Sequence, residues 1–168
     1  MTATLAAVRV GLRFPTQRYG LTSVELEPGR IGHHARELFS FGYCHYLTSA
    51  LHEQTGWPLV IMQQATVRPD GWRWAHTAVR AGRSGQVLDI GGVAGREQIA
   101  TRYSSHLGCG VFRWTQAMSW GAFAAAIGLA ADSQPSWWRS TRLGHAAGPV
   151  IESYVTQLVS VARERGGS

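Results

Sequence analysis

The chain has 168 residues, 45% of them hydrophobic and 15% charged, and no low-complexity tract, which fits one globular domain and excludes a disordered or fibrous chain. Its formal net charge is +6 and all sixteen basic residues are arginine, but they are scattered from Arg9 to Arg165 with no run of three, which argues against a nucleic-acid-binding stripe. Two cysteines are too few for a disulfide framework, no leader-like apolar run opens the chain, and the longest apolar stretch, Trp120 to Ala131, is too short to span a bilayer, so a cytoplasmic protein with no membrane segment is expected.

Leu5 to Phe14 alternates, with Ala6, Val8, Val10 and Leu12 set against Leu5, Ala7, Arg9 and Gly11, and predicts a half-buried strand. Tyr19 to Leu26 is a second strand candidate, and Glu27-Pro28-Gly29-Arg30 a turn. Gly32 to Phe41 leads into the strongest helix signal of the first half, Cys44 to Thr55. There Leu47, Ala50, Leu51 and Gln54 share a side, and Gly56 stands where a left-handed residue closes a helix. Leu59 to Gln63 predicts a buried strand, extendable towards Arg68, and Pro69-Asp70-Gly71 a turn. Trp74 to Ala81 and Gln86 to Gly91 flank Gly82-Arg83-Ser84-Gly85 as a hairpin. A short helix is expected over Gly95 to Tyr103, and two longer ones over Thr115 to Ala131 and Pro149 to Arg165, the last with Pro149 in its first turn. The fold class expected is α+β, an antiparallel sheet packed against helices in one domain over residues 1–168.

Three residues in this frame speak to chemistry. Cys44 opens a helix, where the macrodipole and free amide groups favour thiolate. His76 and Asp89 lie on the two arms of the hairpin. Centring the turn between Arg83 and Ser84 sets Ala78 opposite Asp89 and His76 opposite Gly91, so His76 and Asp89 share a face as diagonal neighbours, roughly 7–8 Å apart at Cα. Asp89 also interrupts Val87-Leu88-Asp89-Ile90, and a carboxylate in an apolar run needs a partner. A nucleophile, a base and an orienting carboxylate need this arrangement.

Gly42-Tyr43-Cys44 with its helix, Ala75-His76-Thr77 and Leu88-Asp89-Ile90-Gly91 together resemble the transglutaminase-like branch of papain-fold thiol enzymes. That branch includes transglutaminases, bacterial cysteine peptidases and arylamine N-acetyltransferases. The resemblance covers Phe39 to Val93, about a third of the chain. It implies a papain/transglutaminase-like core with Cys44 as nucleophile at a helix N-terminus, His76 as general base and acid, and Asp89 as orienter. The function expected is attack on an amide, ester or thioester carbonyl through an acyl–enzyme intermediate, with peptidase or amidase activity preferred over acyl transfer and a peptide or acyl compound as substrate.

The oxyanion would meet the Cys44 main-chain amide and Gln17, the only glutamine before the thiol. Trp74, Tyr43 and Trp72 are the candidates for substrate contact, with Trp74 on the face of His76 by alternation. His45 and His52 are seven residues apart, which is not a single-turn ligand pair, so no metal is expected, and no cofactor. Cys109 reads as structural. The alternative is a catalytically silent module of the same fold that holds a protein or nucleic-acid partner.

Overall fold

The computed structural model describes residues 5–69, 71–82, 85–107 and 110–166. Two short strands, β1 (Val8–Gly11) and β2 (Ser23–Leu26), pair antiparallel and are followed by helices α1 (His33–Ser40) and α2 (Cys44–Thr55). Then come β3 (Leu59–Ala65), β4 (Trp72–Ala81), β5 (Gln86–Asp89), β6 (Gly92–Ala94), α3 (Arg96–Leu107), β7 (Phe112–Gln116), α4 (Trp120–Ala126), a 3-10 turn (Pro135–Ser140) and α5 (Arg142–Gly166). The five later strands form one antiparallel sheet in the order β6-β5-β4-β3-β7, so the chain is α+β. Among the described residues no helix is long and apolar enough to cross a membrane.

Both faces of the sheet are covered, which explains the unbroken apolar run at its centre. Leu59 and Ile61 of β3 join Val79 and Leu88 in the larger core, which α2 and α5 close with Leu47, Leu51, Ile151, Tyr154 and Val155. Val60 and Met62 point the other way, with Ala78 and Val87, onto Ile99 and Tyr103 of α3. A run buried on both sides is what a central strand demands.

Helix α2 is fixed to the sheet by polar contacts as well as by packing. Thr77 Oγ1 of β4 donates to Thr48 Oγ1 at 3.0 Å, and both are buried. On its outer side the 3-10 turn clamps it: Trp137 Nε1 donates to Ser49 Oγ at 3.0 Å, and the fully buried Trp138 donates to Glu53 at 3.1 Å. Gly56 ends α2 at φ 68°, as its position after the last helical residue predicts.

Several expected boundaries move. Of Leu5 to Phe14 only the central Val8–Gly11 pairs, and of Tyr19 to Leu26 only the last four residues, Ser23–Leu26. Gln54 is exposed, because Glu53 and not Gln54 turns to the Trp138 side. The helix predicted from Thr115 is overturned. Thr115 pairs with Ile61 in β7, and α4 starts only after Ser119, whose Oγ accepts the Ala122 N–H at 3.1 Å. The last helix begins at Arg142, where Thr141 Oγ1 accepts the Gly144 N–H at 3.0 Å. Pro149 therefore sits inside α5 and not in its first turn. An interior proline costs about 3 kcal/mol, and burial of an eleven-residue apolar stripe on α5 offsets it. Strand β6 is a further element, turning back on β5 so that Gly92 pairs with Asp89. The Pro69-Asp70-Gly71 and Gly82–Gly85 turns each include residues outside those described, as does Cys109.

One irregularity bears on the site. Met62 pairs with His76 but Gln63 pairs with Trp74, so Ala75 is an extra residue, a β-bulge beside His76. It reverses the alternation: Ala75 packs with the α3-side core, and Trp74 with the α2-side core. The expectation that Trp74 shares the face of His76 is thereby corrected.

Two glycines of α5 make a matched test of the packing against Trp138. A Cβ on Gly144 would lie 1.9 Å from the Trp138 carbonyl oxygen, whereas one on Gly148 would meet Trp138 Cζ3 at an ordinary 4.0 Å. Gly144→Ala is expected to lower the unfolding free energy by about 1–3 kcal/mol. Gly148→Ala is expected to be neutral or to gain up to about 1 kcal/mol from helix propensity. Urea unfolding of the two variants checks the contrast.

Candidate active site

The break between α1 and α2 is three residues long. Phe41 N–H closes α1 on Glu37, Tyr43 N–H bonds Leu38, and Gly42 at φ 138° takes the backbone conformation that turns the chain. Cys44 thereby becomes the first residue of α2, where its main-chain N–H has no acceptor within the helix. Its side chain is only 2% exposed and lines a cleft of about 470 Å³ together with Gln17, Gly42, Gln64, Arg73, Trp74 and Ala75.

Behind it stands a buried polar chain. The β4–β5 register pairs Val79 with Leu88, and one further step sets Ala78 opposite Asp89. His76 Nε2 lies 3.0 Å from Asp89 Oδ2, and both residues are almost wholly buried. Asp89 Oδ1 accepts the Gly91 N–H at 2.8 Å, and Arg102 Nη2 stands 3.8 Å from Oδ2. On the far side of the ring, His76 Nδ1 lies 2.6 Å from Tyr103 Oη, which also bonds the Ser40 carbonyl oxygen.

These contacts assign the protons. The Ser40 carbonyl can only accept, so Tyr103 donates to it and offers its oxygen to Nδ1–H. The Asp89 carboxylate accepts from Nε2–H. A ring that donates from both nitrogens is an imidazolium. Its counter-charge is the thiol. Burial pushes Cys44 up, but the His76 charge and hydrogen bonds from His45 and His76 outweigh it and bring the thiol down to about 5. For His76, burial pulls down, and the thiolate of Cys44 followed by the bond from Asp89 raises the ring to about 9. Asp89 is held below the ordinary carboxylate range: its burial is outweighed by the bond and charge of His76, then by Arg102. A thiolate in this setting can attack an electrophilic carbon brought into the cleft.

The structure thus brings Cys44, His76 and Asp89 together, and places Gln17 and Trp74 in the same cleft. Gln17 is held by its N–H on the Phe41 carbonyl at 3.0 Å. Trp74 stands edge-on to His45, ring centroids 5.3 Å apart, and His45 in turn stacks flat on Trp137 at 5.5 Å. Tyr43 and Trp72 do not join them. Tyr43 turns its hydroxyl to the Phe14 carbonyl, 3.2 Å away, and packs its ring on Tyr46, because the position before the thiol faces the β1–β2 segment. Trp72 lies opposite Ala65 at the far end of β4, under the Arg113 guanidinium at 4.1 Å.

Residue reasoning missed Tyr103, Arg102, Gln64 and Arg73. The signal for Tyr103 was its place four residues after Ile99, which marks the inner face of α3. Gln64 and Arg73 pair across β3 and β4, with Arg73 Nη2 donating to Gln64 Oε1 at 2.8 Å, a pairing that only the bulge creates. Arg102 gave no signal. No protein-family model matches the chain, and neither does any curated protein or solved structure.

In a Cys109→Ser background, the ultraviolet absorbance of the Cys44 thiolate is expected to appear with a midpoint near pH 5. Without the cation the buried thiol loses its main stabiliser, so His76→Ala is expected to carry the midpoint to or above the ordinary thiol value of about 8.5. An unchanged midpoint in His76→Ala would sink the ion-pair assignment.

Proposed function

We propose that the protein is a cysteine-dependent acyl-transferring enzyme, acting first as a hydrolase of amide or related carbonyl substrates. The observation that carries the reading is a helix-opening thiol that lines a cleft, under the charge of a buried imidazole that is itself bonded to a buried carboxylate. A helix that bears the thiol and packs on an antiparallel sheet bearing His and Asp is also the arrangement the papain-like resemblance implies.

The chemistry balances without further groups. Cys44 Sγ⁻ attacks the carbonyl carbon, and the C=O pair moves to oxygen. The oxyanion meets the Cys44 main-chain N–H and the carboxamide of Gln17. As the tetrahedral species collapses, the C–N or C–O bond breaks and the His76 Nδ1 proton leaves its contact with Tyr103 and passes to the leaving atom. Water then attacks the thioester, His76 takes one of its protons, and Sγ leaves as thiolate beside the renewed imidazolium. Asp89 keeps Nε2–H occupied throughout, so that Nδ1 is the nitrogen that exchanges a proton.

The cleft lining favours an amide substrate. Gln17, Gln64 and Arg73 present donors and acceptors suited to a polypeptide main chain, and Trp74 supplies an aromatic wall. An acyl acceptor other than water would enter by the same opening.

Assayed on a panel of peptide amides, esters and thioesters, kcat/KM should follow a bell. Its acid limb lies near pH 5, where the thiolate takes a proton, and its alkaline limb near pH 9, where the imidazolium loses one. Cys44→Ala should abolish turnover and His76→Ala should cost about 10²–10⁴-fold. Turnover that survives Cys44→Ala would remove Cys44 as the nucleophile, and an absence both of turnover and of covalent capture by acyl probes at Cys44 would leave the binding-module alternative standing.

A further inference from the structure

A second cleft of about 370 Å³ opens behind the first. The two share a wall: Gln17 and Gly42 line the Cys44 cleft, whereas their neighbours Arg18 and Phe41 line this one. Three arginines from separate parts of the chain converge on it, Arg18 from the segment between β1 and β2, Arg36 from α1 and Arg102 from α3.

Their surroundings leave two of these three charges without an ion pair. Among the described residues Arg18 and Arg36 make no salt bridge. The Arg18 guanidinium lies over the rings of Tyr19 and Phe41, at 5.0 and 5.4 Å, which holds it without neutralising it. Arg102 reaches across Gly91, where a Cβ would stand 2.4 Å from Nη1, so the glycine is what admits the guanidinium. The one carboxylate in the lining, Glu37, is buried and accepts the Tyr19 N–H at 3.0 Å. Arg102 stands 3.8 Å from Asp89 Oδ2, so the positive charge that no ion pair meets is that of Arg18 and Arg36.

We propose that this cleft, ringed by Arg18, Arg36 and Arg102, is a binding site for a phosphate-type dianion. Planar guanidinium forks match phosphate oxygens in pairs, and a dianion can meet the unpaired Arg18 and Arg36 together, where a monoanion carries charge for one of them. The phosphate belongs either to a free ion or to a phosphorylated small molecule, and both present the same oxygens. Arg102 touches both the cleft and Asp89, so occupancy also reaches the thiol site; that consequence rests on the functional reading above, whereas the binding does not.

Calorimetric titration of the whole protein with inorganic phosphate, at constant ionic strength set by chloride, tests the site. The expected result is saturable binding of one phosphate, weakened about tenfold or more by Arg18→Gln or Arg36→Gln. Arg165→Gln, an exposed change at the end of α5, should leave it unaltered, as should Cys44→Ser, which separates this site from the fate of the enzyme reading. Melting curves confirm that each variant is folded. A phosphorylated small molecule that competes with phosphate but binds more tightly would identify the second source. No saturable heat, or an affinity in Arg18→Gln and Arg36→Gln unchanged from that of the parent protein, overturns the proposal. Acetate binding as tightly as phosphate overturns the assignment to a dianion.

Discussion

The contact between His76 and Asp89 sets the terms for the rest of the molecule. A carboxylate and an imidazole with almost no exposure cannot stand alone in an apolar interior, since an unpaired buried charge is among the costliest features a fold can carry. Each oxygen and nitrogen of the pair is therefore met: Asp89 Oδ1 by Gly91 N–H, Oδ2 by His76 and the nearby Arg102, and His76 Nδ1 by Tyr103. Meeting them requires the β4–β5 register, the tight turn into β6 and the placement of α3. It also requires that Ser40, at the end of α1, offer its carbonyl to Tyr103. Four segments far apart in sequence are thus held by one polar cluster.

The thiol is brought to this cluster by a different set of forces. Helix α2 lies on the opposite face of the sheet from α3, positioned by the apolar core of Leu47 and Leu51 and by the Thr48–Thr77 bond. Trp137 and Trp138 press on its outer side and tie it to α5. Its first residue shares the cleft with Ala75, the bulged residue of β4. The bulge therefore serves two ends at once: it turns Trp74 towards α2 and the cleft, and it pairs Gln64 with Arg73 on the cleft floor.

Local signals made part of this legible. A tight hairpin fixes its own register, so counting outward from Gly82–Gly85 brings Asp89 onto the face of His76, and the intrusion of an aspartate into Val87-Leu88-Asp89-Ile90 marks a burial that needs a partner. Helix α2 was readable from Cys44 to Gly56 because both its ends carry signals. What stayed hidden depended on tertiary context. A bulge adds one residue without any residue type that announces it, so alternation put Trp74 on the wrong face. Phe112 to Gln116 carries an edge strand whose pairing to β3 no local pattern encodes. Pro149 resembles a helix start, and only the packing of Gly144 and Gly148 against Trp138, with Leu143 and Ala147 buried beside them on α5, shows why the helix begins a full two turns earlier. Tyr103 could be read as inward-facing, but its bond to His76 crosses from α3 to β4, and sequence spacing does not carry such a contact.

The Tyr103 hydroxyl adds one more property to the buried cluster. In the resting arrangement it donates to Ser40 and accepts from His76. On the functional reading above, His76 releases its Nδ1 proton midway through each cycle, and a fully buried ring nitrogen would then be left as an acceptor without a donor. A hydroxyl can rotate, and rotation about the Tyr103 C–O bond carries its proton from the Ser40 oxygen to Nδ1. The ring is then hydrogen-bonded in both protonation states, and the unmet acceptor shifts to a backbone carbonyl, whose second lone pair makes that loss milder. The same residue holds the imidazole plane still, with ring centroids 4.7 Å apart. A phenylalanine would keep the packing and lose the exchange. The phenol itself does not ionise in this role, because burial, and then the negative charges of Cys44 and Asp89, push it well above its ordinary value. It moves a hydrogen bond without moving a charge, which suits a site whose interior already holds one ion pair.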